Sequence, residues 1–592
     1  MLLRLFSVIT VAAAMMASSS KAQVAVEDDP MNPKSLRDLP PGSKYYVYPK
    51  ESPQKKVAEW GKRHLARFLF LFPPTTNWIN KKATNKASTA NGQVPNRPFK
   101  LSCLANYTSV TSLMNETYYG RHLSEAPPGY TDTLPSINDV VSGLFPRGVD
   151  SQIIDPKGTM LFPVFAQMLI DSFISTVTYT NTTTKKLTFD WKRTNSPFEI
   201  NLLPLYGRFE YQTDALRLKS EKSRGRLKSQ IINGEEYAEF LYNDLGEIKD
   251  EFQVLGPPQA FNQILSKVDK TEEEKRKIKS KIFAFGGNRT NTTPQMAALN
   301  TLFLREHNRL AGQLEKHNED WDDDRVFQTA RNINLVIYLK IIIEEYINHI
   351  TSSGARFKVQ PKEWVWNADW NKPNWIAVEF AVLYRWHALT PNSYLWEGKR
   401  VKISDDLFNN ALLLETSGGL RQAIAEISKN PATIMAPFNT ALELLSQEQA
   451  AFAQTRQANV RPFADYRAYL GLPLVKTFKD ITQDKEVQQK LEELYKTPDR
   501  VEFWAGLVAE DKDPKAIFGP TLSTLVALDA FSQALTHPLL SEQVFNEETF
   551  SPWGYRLLKE GNNKIKDLVE RNTNHGAPLT VFIGMTNPNW HL

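Results

Sequence analysis

The chain has 592 residues, 41% apolar and 23% charged, which suits a folded protein of one large or two ordinary domains. A net charge of +5 is small for this length and requires no nucleic-acid partner. The single cysteine, Cys103, excludes an internal disulfide, so the fold must rest on its core.

In chain order, Arg4 precedes an uncharged apolar run from Leu5 to Met16 and then ASSSKA. This predicts a secretory signal peptide over residues 1–22, with an apolar stretch too short to span a bilayer. Asn106, Asn115, Asn181, Asn288 and Asn291 each stand in N-x-T, so a secreted or secretory-lumen glycoprotein is expected. Residues 23–99 read as an N-terminal arm. Within it, KKVAEWGKRHLARFLFLF (55–72) mixes basic and large apolar residues. It is either an interfacial membrane helix or an amphipathic helix docked on the body, and Pro73–Pro74 stop any helix there.

Residues 100–592 form one mainly helical domain, with helices predicted at 158–178, 294–317, 326–349, 371–388, 418–428, 438–456, 484–495 and 520–537. The 326–349 segment is long and apolar, but Arg331, Lys340, Glu344 and Glu345 argue against a membrane span. Residues 258–280, rich in Lys and Glu, read as a solvated connection.

The segment FAVLYRWHALTP (380–391) carries the chemistry. If helical, it places Tyr384 and His387 on one face and turns Arg385 and Trp386 elsewhere. A histidine suits haem iron as an axial ligand. A tyrosine beside a haem can be oxidised by it and hold a radical. His307, in TLFLREHNRLAGQL, sits in an equally apolar pattern; taken alone, either histidine fits a hydrogen-bonded core residue as well as a ligand.

LREHNR, the upstream GNRTNTTPQM, the following DDDRVFQTARNINLVIYLKIIIEEYINHI and the Tyr-x-x-His element together resemble the animal-type haem peroxidase and cyclooxygenase superfamily. The resemblance runs over roughly residues 100–555 and implies a helical haem-peroxidase-like catalytic domain behind an N-terminal extension. It implies that His387 is the proximal ligand of the iron, that Tyr384 is the radical residue with Trp386 packed nearby, that Arg289 is the distal arginine, and that His307 is structural. It places Phe531 and Ser532 of TLVALDAFSQALTHPLL along a fatty-acid channel, with Arg67 or Arg63 a candidate for the substrate carboxylate. Arg385 is either a partner for a haem propionate or a surface residue. The expected function is haem-dependent fatty-acid dioxygenation: a tyrosyl radical takes hydrogen from a polyunsaturated chain and dioxygen adds. The alternatives are a peroxidase of small donors and a degenerate, non-catalytic member. Peripheral membrane association and a homodimer stay open.

Several positions depart from the family pattern. The distal helix should be DPKGTMLFPVFAQMLIDSFIS, which carries Gln167 but has Asp171 where a histidine belongs. An ionised carboxylate with an ordinary pKa, held by Arg289, accepts a proton from peroxide but returns it poorly, so weak peroxidase activity is expected. Thr292 and Thr293 stand where relatives attach haem covalently, so non-covalent haem b is expected. Trp504 stands where cyclooxygenases have a tyrosine, and the segment around Ser353 has lost a channel tyrosine.

Overall fold

The computed structural model describes residues 73–89 and 117–587, except 149–150, 181–186, 198, 260, 268–269, 352–356, 360, 362, 372–373, 514–515 and 574–580. The signal peptide, the 55–72 segment, Arg63, Arg67, Cys103, Asn106, Asn115, Asn181 and Ser353 lie outside the described residues.

At the centre is the helix Pro294–His317, at the bounds read from sequence. Thr293 caps it by accepting the Met296 amide, and Pro294 follows at the first turn, where a missing N–H costs nothing. The helix is buried on nearly every side from Pro294 to Leu314. Asp323–Ile341, capped by Asp322, packs against it and continues through a π-helical turn, Ile342–Tyr346, into Ile347–Ile350. The 323–350 rod is long and apolar enough to cross a membrane, yet 78% of its apolar window is buried in protein. It is a core helix, as its internal charges indicated.

His307 is held inside this pair. Its Nε2 lies 2.9 Å from the Gly225 carbonyl and its Nδ1 2.9 Å from the Tyr206 hydroxyl. A carbonyl only accepts, so Nε2 carries the hydrogen and Nδ1 accepts from Tyr206. Burial pushes this imidazole down to about 3, so it stays neutral. His307 is structural.

Leu161–Phe173, Gly419–Lys429 and Glu547–Glu560 pack on the central pair, while Leu445–Gln457 packs with Phe503–Ala509 and, like Lys485–Tyr495, against Ile137–Leu144. The Lys- and Glu-rich 258–280 segment contains two short helices, Phe261–Lys267 and Glu272–Lys279; the second is closed by a capping box between Thr271 and Glu274. Pro73–Pro74 open a helix, Pro73–Ser88, which is the position in a helix that proline tolerates best.

Strands are short and peripheral. The largest sheet has three antiparallel strands, with Leu187–Thr194 between Thr117–Tyr118 and Thr176–Thr180. Ile154–Thr159 pairs antiparallel with Pro431–Thr433 and so fixes the entry to the helix Leu161–Phe173. The helix predicted at 158–178 is therefore trimmed by a strand at each end. The chain is mainly α.

Candidate active site

The residues expected on the distal side come from two separate places. Gln167 and Asp171 are four apart on the helix Leu161–Phe173, hence on one face, and the Gln167 amide donates to Asp171 Oδ1 at 2.9 Å. Arg289 approaches from the loop before the 294–317 helix. Its Nε is 2.9 Å from the same Oδ1, and its terminal nitrogen donates to the Ile174 carbonyl. Asp171 Oδ2 is buried with no partner. Burial pushes this carboxyl up to about 6, with Arg289 and then Gln167 opposing the shift. That corrects the expectation of an ordinary pKa: the guanidinium is half-solvated, its side chain 31% exposed, and does not offset desolvation of a side chain that is 3% exposed.

The Tyr384–His387 element is not the continuous helix expected. The helix Val378–Leu383 ends at Leu383, Tyr384 and Trp386 leave helical geometry (φ −85°, ψ 24° and φ −83°, ψ 39°), and His387 begins a 3₁₀ turn to Leu389. The break changes where the middle residues point. Trp386 stacks on Tyr384 at 4.3 Å between ring centroids and 24° between planes, and its indole N–H donates to the Leu383 carbonyl. Phe380 meets the phenol edge-on at 4.8 Å, and Phe518 packs on the far side of the indole at 4.4 Å. The phenol is thus held between two aromatic rings.

Tyr384 is fully buried and its hydroxyl makes no well-formed hydrogen bond. Burial pushes the phenol far above its ordinary range; the Tyr346 hydroxyl works against that shift and Asp529 adds to it. Tyr346 and Tyr384 act on each other as neighbouring hydroxyls, although neither oxygen meets the geometry of a made bond. Both Tyr346 and Asp529 went unnoticed in sequence. Tyr346 is one aromatic residue in a long apolar helix. Asp529 pairs with His122 at 2.8 Å, both side chains 1% exposed, across more than four hundred residues of chain.

His387 lies opposite a different partner. Its Nδ1 is buried and 3.4 Å from Glu448 Oε1, within ion-pair range but out of line for a hydrogen bond. The ring as a whole is 22% exposed, so its open part lies away from Nδ1. Arg385 is half-buried, with its Nε enclosed. It donates to Gln454 Oε1 at 2.8 Å, leaves Nε without a partner, and is acted on by both Arg289 and Glu448.

Ser532 is buried, its hydroxyl returned to the Leu528 and Asp529 carbonyls of a helix that loosens into a π turn over Ala527–Phe531. Phe531 ends that turn. Thr292 donates to the Arg289 carbonyl, and Thr293 is spent as the cap of the central helix. Of the described sequons, Asn288 is exposed, but Asn291 is buried, its amide exchanging hydrogen bonds with the Phe283 backbone and accepting from Asn410. Asn291 is a core residue and is removed from the expected glycan sites.

Comparison with known proteins agrees with this architecture. Residues 200–581 match the animal haem peroxidase family, and the chain belongs to that family. It is 29% identical over 493 residues to prostaglandin G/H synthase 2 of Equus caballus, covering 80% of this chain and 74% of the relative. It is 28% identical over 556 residues to the Mus musculus prostaglandin G/H synthase 2, covering 88% and 84%. Among solved structures, a fatty acid alpha-dioxygenase of Oryza sativa superposes with a TM-score of 0.62 at 13% identity, over 88% of this chain and 96% of that one. Peroxidase A of Dictyostelium discoideum superposes with a TM-score of 0.60 at 18% identity, over 83% and 99%. These two share the fold.

Proposed function

We propose that the protein is a haem-dependent fatty-acid dioxygenase of cyclooxygenase type, with Tyr384 as the hydrogen-abstracting residue and His387 as the proximal iron ligand. The observation that carries the reading is the buried, unpaired Tyr384 hydroxyl in the same short turn as His387. Its prostaglandin-synthase relatives, similar over four fifths of this chain, support it.

The residues present fit a haem. His387 offers an imidazole whose buried edge faces a carboxylate and whose open part lies away from it. Arg385 is half-buried and has an enclosed, unpaired Nε, which suits a propionate. Asp171 Oδ2, Gln167 and Arg289 would face the other side. Thr292 and Thr293 carry no carboxylate or thioether, which supports non-covalent haem b. When bound, haem supplies the one-electron oxidising power.

The protein's part follows from burial. Tyr384 cannot ionise in its apolar setting, so it gives up its electron and proton together. The resulting neutral radical takes a hydrogen atom from the substrate, the phenol reforms, dioxygen adds to the carbon radical, and the peroxyl radical so formed takes the phenol hydrogen back, which completes the product and renews the tyrosyl radical. Phe380 and Trp386 fix the ring, which is positioning rather than acid–base work. The reading includes a secretory route, with Asn288 the described glycan site, and peripheral membrane association through residues 55–72. Asp171 weighs against the rival reading as an efficient peroxidase, because a carboxyl titrating near 6 is mostly ionised at neutral pH.

The test is oxygen uptake by haem-loaded protein with linoleate and arachidonate, followed by mass spectrometry of the products. Uptake with wild type and its loss in Tyr384→Phe is expected. Equal uptake by Tyr384→Phe overturns the assignment.

A further inference from the structure

Glu448 is a carboxylate on the helix Leu445–Gln457 whose side chain is 1% exposed. Burying such a charge costs several kcal/mol unless it is matched. Among the described residues no lysine or arginine forms an ion pair with it. Its Oε2 accepts from the Trp504 indole at 2.8 Å, and its Oε1 accepts from the Thr440 hydroxyl at 3.2 Å. These two neutral donors, from separate segments, fix the carboxylate in place without cancelling its charge. Arg385 acts on it from beyond ion-pair distance, and the remaining group in contact with it is His387 Nδ1, 3.4 Å from Oε1. That nitrogen has no hydrogen-bond partner.

We propose that Glu448 is the positioning residue of the iron ligand: it accepts the Nδ1 hydrogen of His387, which leaves Nε2 as the free donor atom and makes the imidazole a stronger electron donor. Trp504 and Thr440 hold Glu448 for that task. The inference rests on His387 being the iron ligand. A carboxylate behind a metal-bound histidine fixes its tautomer and raises its basicity. For a haem iron this favours the ferric over the ferrous state, because second-sphere hydrogen bonding is one of the protein's levers on potential. A merely structural Glu448, present to satisfy Trp504 and Thr440, would not affect the iron. Glu448→Gln separates the two, since the amide oxygen still accepts and the volume is unchanged, but the charge is gone.

The experiment uses haem-loaded wild type, Glu448→Gln, Trp504→Phe and His387→Ala. It reads the ferrous iron–histidine stretch by resonance Raman and the ferric/ferrous midpoint by spectroelectrochemistry. In Glu448→Gln the stretch is expected to fall in frequency and the midpoint to rise. Trp504→Phe should move both the same way by less. Wild-type values in Glu448→Gln overturn the proposal. Should that variant not take up haem, Trp504→Phe decides in its place, with thermal unfolding showing that it is folded, and wild-type values there overturn the proposal equally. An iron–histidine band that persists in His387→Ala sinks the ligand reading instead.

Discussion

The indole of Trp386 lies flat against the phenol of Tyr384, 4.3 Å between centroids, because the helix stops at Leu383 and turns the next three residues out of register. Phe518 and Phe162 extend the stack at 4.4 and 5.9 Å from the indole. The tyrosine is held by rings rather than by a hydrogen bond.

Removing the indole should therefore free the phenol. Trp386→Ala is expected to destabilise the apoprotein by about 3–5 kcal/mol, as for other buried Trp→Ala changes. Where it still folds, oxygenation should spread over more than one carbon, because the ring no longer presents one orientation. Urea unfolding and product mass spectrometry read the two effects. A single product in the wild-type position would show that Phe380 alone orients the ring.

Asp171 gives a pH dependence of definite sign. Its pKa is raised to about 6 in the fold from an ordinary value of 3.8. The native state thus holds a proton that the unfolded state has released between about 3.8 and 6, and this contribution to stability falls as pH rises through that window. Urea midpoints of wild type minus Asp171→Asn should fall over the same interval and level off above it. Turnover of hydrogen peroxide with guaiacol should rise as pH drops from 7 towards 6 in wild type, as the carboxyl gains the proton it needs to donate, and stay flat in Asp171→Asn. A flat wild-type profile would remove Asp171 from proton transfer.

The buried histidines act with the opposite sign. His307 is pushed down to about 3, and His349 and His537 to about 4, each by burial. Unfolding at pH 5 therefore takes up protons on all three, and stability falls as pH drops below about 6.5. His307→Gln should lower stability at pH 7, since Tyr206 and the Gly225 carbonyl lose a matched partner. It should also flatten the loss of stability between pH 6.5 and 4.5 by about one proton's worth of slope. Urea unfolding of apoprotein across that range checks both.

What the sequence made legible follows physical range. The central helix was found to the residue, since Thr293, Pro294 and an unbroken apolar pattern act locally. Gln167, Asp171 and Arg289 were assembled only through family resemblance, as no local rule joins a helix to a loop more than a hundred residues later. The break after Leu383 was invisible because FAVLYRWH has helical periodicity; tertiary packing of Trp386 on Tyr384 overrides it. Glu448 was hidden for a related reason. It sits in LSQEQAAFAQTRQ, a weakly patterned helix where a glutamate reads as solvated, and only the neighbours Trp504 and Thr440 reveal that it is buried.

The last prediction concerns Glu306, in the LREHNR motif. Its carboxylate is wholly buried and meets Arg309 on its own helix, Arg571 from the C-terminal helix Ile565–Asn572, and the Asn572 amide. Those guanidiniums, Arg571 first, hold its pKa down to about 2 against the opposing effect of burial. Glu306→Ala leaves two arginines facing a buried gap, so a loss of about 3–5 kcal/mol is expected, at the level of other broken buried pairs. Because Glu306 anchors the C-terminal helix rather than the site, local detachment should precede global unfolding. Limited proteolysis is expected to nick the variant near residues 561–573 while the remaining core survives. Cleavage spread evenly along the chain would mean that the 565–572 helix is held by Leu568 and Val569 in the core, with the ion pairs incidental.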